Sequence, residues 1–136
     1  MHYVTPYSIV KRLYSPGSSS AHELSSKTSG EAANGVITDV IKLFLQSVDV
    51  DETWYRARYP DVAAAIDEGL FKSAKHHFID SGYFEGRLPG EMAVEEDWYL
   101  SAYPDVSEGV KDRLFSSGGE HFKLYGYDEG RLPSPI

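Results

Sequence analysis

The apolar residues of this chain recur at helical spacing in several short stretches. In "TPYSIVKRLY", Tyr7, Val10 and Tyr14 share one face, with Leu13 beside them. Thr5 can cap this helix and Pro6 can open it, since a missing N–H costs nothing at the first helical position. A second stretch, "GVITDVIKLFLQSV", carries Val36, Ile37, Val40, Ile41, Phe44, Leu45 and Val48 on an i, i+3/i+4, i+7 stripe that Leu43 widens. The spacing predicts one apolar helix over 36–47. Its stripe is broader than one small neighbour needs, so it is expected to pack both on residues further along the chain and on a partner subunit. Between these stretches lies "PGSSSAHELSSKTSGEAANG", which has no apolar period and predicts a flexible segment. Ordering such a segment costs on the order of 1–2 kcal/mol per residue. Its own side chains offer nothing to offset that cost, so residues 1–35 read as an arm that becomes ordered by lying against other chains.

From Trp54 onward the pattern duplicates itself. Residues 54–89 align without a gap on residues 98–133, and 18 of the 36 pairs are identical. Each copy reads as three short helices. Asp51 and Glu52 (Glu95 and Glu96 in the second copy) enrich the first turn of a helix carrying Trp54, Tyr55 and Tyr59. Pro60 ends that helix and opens the next, on which Val62, Ala65 and Ile66 form the apolar face up to Gly69. Ser73 can cap a third, with Ala74, His77, Phe78 and Ser81 on one face and Gly82 as a left-handed terminator. "YFEGRLP" closes the unit as a turn with Gly86 at positive φ. One such unit buries little alone. Stacking two is expected to make a single core. The predicted fold is therefore all-α, in four parts: an arm (1–35), an apolar docking helix (36–47), helical repeat 1 (48–90) and helical repeat 2 (91–136).

The repeated pattern "W-Y-x3-Y-P-D-V … H-F-x3-G-Y-x-E-G-R-x-P" resembles a short tandem repeat of bacterial proteins, found beside or fused to glycosyltransferases and other cell-envelope polysaccharide proteins. The resemblance covers about residues 48–134. It implies a non-catalytic accessory role near surface glycans. In design alone, a small acidic chain with an extended arm also looks like an accessory protein of a phage-like particle, such as a head spike base or decoration subunit.

Charge narrows the partners. The net charge is −8. Residues 1–47 hold four basic and three acidic side chains, while residues 48–136 hold nine and eighteen, a net of −9 on the repeats. Such a surface repels phosphate backbones, which argues against nucleic acid. There is no cysteine, so disulfides and thiolate metal sites are excluded. The longest apolar run, near "IKLFL", is far short of the ~20 residues a membrane span needs. No basic cluster followed by an apolar core appears at the start, so no secretory signal is expected and the chain reads as made in the bacterial cytoplasm, for incorporation into a particle or surface assembly.

Candidate chemistry is sparse. His76, His77 and His121 lack convergent metal spacing, and His77 and His121 occupy core-facing positions. The acidic runs at Asp49–Glu52 and Glu95–Asp97 lack the alternation and central glycine of a calcium loop. No nucleophile–base set, phosphate loop or cofactor fingerprint is present, so no cofactor and no catalysis are expected. Arg87 and Arg131 are expected to pair with Asp61 and Asp105, a forked geometry suited to guanidinium. The expected function is a structural or adaptor subunit, homo- or hetero-oligomeric, that binds other protein subunits through Tyr7, Val10, Leu13, Tyr14, Val36, Ile37, Val40, Ile41, Phe44 and Leu45. The alternative is a carbohydrate-binding module for surface polysaccharide, using Tyr83, Phe84, Arg87, Tyr125, Tyr127 and Arg131. An enzyme of polysaccharide metabolism ranks third.

Overall fold

The computed structural model describes residues 3–14 and 27–136, and within them the side chains of 3–13 and 35–136. All regular structure among these residues is helical: α1 (Tyr7–Tyr14), α2 (Lys27–Leu45), α3 (Glu52–Arg58), α4 (Pro60–Asp67), α5 (Ala74–His77), α6 (Glu96–Ala102), α7 (Pro104–Lys111) and α8 (Gly118–His121). A π-helical turn follows α5 (Phe78–Gly82) and another follows α8 (Phe122–Gly126). The chain is all-α, as the periodicity predicts.

Helix α2 departs from its expected bounds. It starts at Lys27, inside the segment expected to be flexible. Lys27, Glu31, Ala32 and Ala33 are good helix formers, and extending an existing helix backwards needs no new nucleus. At the other end, the Ser47 hydroxyl donates to the Phe44 carbonyl at 2.7 Å and the Gln46 amide bonds Leu43 at i+3, so the helix tightens and stops at Leu45. The rest of the expected flexible stretch, 15–26, lies outside the described residues.

The two units are built alike. Asp51 caps α3, its carboxylate accepting the Trp54 N–H at 2.9 Å. Glu52 serves the third helix rather than only its own: its carboxylate accepts the Ala74 and Lys75 amides at 2.8 and 3.2 Å, while Ser73 accepts the His76 amide at 3.0 Å. Glu96 and Ser117 repeat this, with Gly118 and Gly119 donating to Glu96 at 2.6 and 3.0 Å and Glu120 donating to Ser117. These acidic groups thus occupy the amide-rich starts of helices. Helix α4 ends in a paired cap: Leu70 N–H bonds Ala65 O at 2.9 Å and Gly69 N–H bonds Ile66 O at 3.0 Å, with Gly69 at φ 80°. The second unit keeps both bonds, but places Arg113 at φ 61°.

Gly82 is not the left-handed terminator the sequence predicts. It lies inside the right-handed π turn, where Tyr83 N–H reaches back to Phe78 O at 2.8 Å. A side chain there would collide with the Tyr55 hydroxyl, and Gly126 faces Tyr99 in the same way. The left-handed positions fall later, at Gly86 (φ 79°) and Gly130 (φ 77°).

Each unit closes on itself. Arg87 forks onto Asp61 at 3.0 and 2.7 Å, bonds Glu85 at 2.7 Å, and lies 4.8 Å from the Tyr59 ring centroid. The Tyr59 hydroxyl accepts the Leu88 amide at 2.9 Å, and the Asp51 amide donates to the Pro89 carbonyl at 2.9 Å. Arg131, Asp105, Glu129, Tyr103, Leu132, Glu95 and Pro133 reproduce the set. The expected arginine–aspartate pairs are both present.

The buried residues form two clusters, where a single core was expected. One gathers Leu45, Tyr55, Val62, Ala74, Phe78, Ile79 and Tyr83, with Ile41, Val48 and Trp54 at its edge. The other gathers Met92, Tyr99, Val106, Phe122 and Tyr127, with Tyr3, Leu88 and Trp98 at its edge. The reason is aromatic volume: Tyr55 with Phe78, and Tyr99 with Phe122, fill each small helical cup from within.

Candidate interaction surface

The segment before α1 is a strap over both units. Tyr3 meets Tyr127 of the second unit edge-on at 6.1 Å, and Tyr7 meets the equivalent Tyr83 of the first at 5.9 Å and Phe84 at 4.9 Å. Between them Pro6 is buried, and the Tyr83 hydroxyl donates to the Thr5 carbonyl at 2.8 Å. The Ser8 hydroxyl bonds the Asp128 carbonyl at 3.3 Å. The arm's first part thus packs on its own chain, with Tyr7 against Tyr83 and Phe84. The sequence hides the strap because its partners, Tyr83 and Tyr127, sit beside the closing turns, where the repeat pattern suggests an exposed surface.

Helix α2 faces two ways. Leu45 is buried and Ile41 half-buried against the first unit. Lys42 donates to Asp80 at 3.2 Å and sits 6.0 Å from the Phe84 ring centroid, fixing the helix over the first π turn. On the opposite side Val36, Val40, Leu43 and Phe44 are 64, 45, 72 and 74% exposed. Ile37 is intermediate. Of the remaining expected partner contacts, Val10 is half-buried, Leu13 is exposed, and the Tyr14 side chain lies outside the described residues. A groove of about 610 Å³ runs between the strap and α2, lined among others by Val4, Val10, Ile41, Phe44 and Val48. The Tyr3 side chain also lines it, and its buried hydroxyl has no hydrogen-bond partner among the described residues.

The glycan candidates are scattered. Tyr83 and Tyr127 are 4 and 5% exposed and form part of the two cores, so neither offers a ring face to a sugar. Phe84 is half-buried under Tyr7 and Lys42. Arg87 and Arg131 are saturated by carboxylates of their own unit. Tyr125 is 52% exposed.

The titratable groups of each unit centre on a buried tyrosine–histidine pair, Tyr55 with His77 Nδ1 and Tyr99 with His121 Nδ1, both at 3.0 Å. Burial lowers both histidines below their usual value and raises both phenols, Tyr99 to about 12. Burial also pushes Tyr83 up to about 12. The hydrogen bond from each arginine lowers Asp61 and Asp105. The Tyr–His pairs face the interiors of the cups, with Phe71 and Phe115 stacked edge-on over the imidazoles. Both histidines are 5% exposed. Among the described residues no three metal-ligating side chains converge, and no helix is long and apolar enough to cross a membrane. Comparison of the chain with protein-family models, with curated proteins and with solved structures found no match.

Proposed function

We propose that the chain is a non-catalytic structural subunit of a larger assembly, attached to its neighbours through the outer face of α2. The observation that carries this reading is the row Val36, Val40, Leu43 and Phe44, exposed on a molecule whose net charge is −8. Isolated exposed leucines are ordinary, but a contiguous apolar row along one helix marks a surface meant to be covered. The rest of the design agrees with a rigid accessory body. Each unit is closed by its own ion pairs and capped by its own carboxylates, and the acidic residues keep its remaining surface soluble. An accessory component of a phage-like particle is the assembly this design most resembles.

The carbohydrate-binding alternative retains little support, since two of its aromatic residues are buried and both arginines are engaged within the chain.

Gradient sedimentation of the native cell extract tests the reading. The wild-type chain is expected in a fast-sedimenting complex, and Leu43→Asp/Phe44→Asp is expected to move it to the free-protein position with its helix content unchanged. A wild-type chain found only at the monomer position would refute it.

A further inference from the structure

The internal duplication shows what belongs on each unit. In the first unit the π turn Phe78–Gly82 is covered by α2, which buries Ile79 and pairs Lys42 with Asp80. In the second unit no described helix lies over the equivalent turn, Phe122–Gly126. The residues there have changed in step. Asp80 and Ser81 of the first unit correspond to Leu124 and Tyr125, which are 56 and 52% exposed. Where the first turn has an acid for Lys42, the second has an apolar side chain and a ring. Its cation is Lys123, in the place of Ile79, whose ion pair among the described residues is a long 4.0 Å approach to the exposed Glu91.

The outer face of α2 has the matching character. Val36, Val40, Leu43 and Phe44 supply the apolar row, and Asp39, exposed on the same helix, supplies an acid for Lys123. We infer that the occupant of the second unit's open π turn is α2 of a second copy of this chain. Each α2 is then held between its own first unit and the neighbour's second unit. This accounts for a stripe too broad for one partner. It also accounts for the divergence between duplicated turns, because one is covered from within the chain and the other from outside. The contact joins two different surfaces, so it is heterologous: it propagates copy after copy until a ring closes or a filament grows. The inference rests on the proposed assembly role and names the partner.

Three variants of the whole chain test it. Leu124→Asp gives the second turn the acid that the first already carries at Asp80, and it blocks the acceptor face while leaving the Tyr125 ring on Phe115 and His121. Phe44→Asp blocks the donor face at a side chain 74% exposed, and Leu43→Asp serves as a second donor variant. In sedimentation velocity the wild type is expected to self-associate with rising concentration. Each variant alone is expected to associate more weakly by on the order of tenfold or more, the usual effect of disrupting a central interface residue. The mixture of donor-blocked and acceptor-blocked chains still has one intact half-site on each, so it is expected to form one-to-one dimers and nothing larger. A wild type that stays monomeric at the highest soluble concentration, or variants whose mixture fails to dimerise, would overturn the inference. A monomeric wild type that nevertheless sediments in a complex from the native extract would overturn the self-contact alone and leave the assembly role standing.

Discussion

Gly82 and Tyr55 occupy the same small volume, and that coupling makes a sharp prediction. A methyl group at 82 meets the Tyr55 hydroxyl, so Gly82→Ala is expected to cost about 1–3 kcal/mol, the range for overpacking a filled core. Tyr55→Phe alone leaves His77 without its partner, at a cost of about 1–3 kcal/mol. The double variant Tyr55→Phe/Gly82→Ala is expected to be less destabilised than the two losses added, because the hydroxyl that causes the clash is gone. Urea denaturation of the four proteins checks this; strict additivity would mean that the two groups do not compete. The same pairs set a pH dependence. His77 and His121 hold protons less readily folded than unfolded, so the unfolded chain binds more protons below its ordinary histidine pKa of about 6.5, and stability falls as pH drops through that value. Asp61 and Asp105 are lowered instead, and their contribution is lost only further down, as pH falls below the ordinary aspartate value of 3.8. Denaturation midpoints measured from pH 7 to 3 are expected to fall in these two stages. His77→Gln/His121→Gln is expected to flatten the upper stage and keep the lower. The arginine pairs were legible in the sequence because both partners recur in both copies. The role of Gly82 was not, because it depends on a hydroxyl far away in the chain.

At the scale of helices, the duplicated units form a natural comparison. Helices α4 and α7 end in the same pair of backbone bonds, yet Gly69 becomes Arg113 in the second unit while the backbone stays left-handed at φ 61°. A Cβ atom in that region costs about 1 kcal/mol relative to glycine. Arg113→Gly is therefore expected to stabilise the protein by about 0.5–1 kcal/mol, and Gly69→Ala to destabilise it by a similar amount. Thermal melts of both variants would show opposite shifts; a destabilising Arg113→Gly would mean that the arginine side chain offsets its own strain. The helices themselves were readable from spacing, prolines and caps, since those signals act over three or four residues. The length of α2 was not: its upstream part has no apolar period and extends from a helix anchored further along the chain.

For the whole molecule, the strap decides whether two cores act as one. Tyr3 and Tyr7 insert into equivalent places on the two units, and Leu88, the end of the first unit, packs at the edge of the second core. Full-length protein is expected to melt in one cooperative transition. Tyr3→Ala/Tyr7→Ala is expected to broaden it and to bring the van't Hoff enthalpy below the calorimetric one, the mark of units unfolding separately. An unchanged enthalpy ratio would show that Leu88 and the inter-unit link suffice. The amino-acid sequence by itself determined the all-helical class, the duplication, the proline and serine starts of the repeated helices, and the closing arginine clamps, because each rests on local periodicity, on backbone chemistry or on residues repeated in both copies. Only the tertiary structure decided that each unit fills its own core, that the front segment straps the molecule to itself, and which side of α2 stays open. Those outcomes depend on how aromatic volumes from distant positions fit together, and no local pattern encodes that fit.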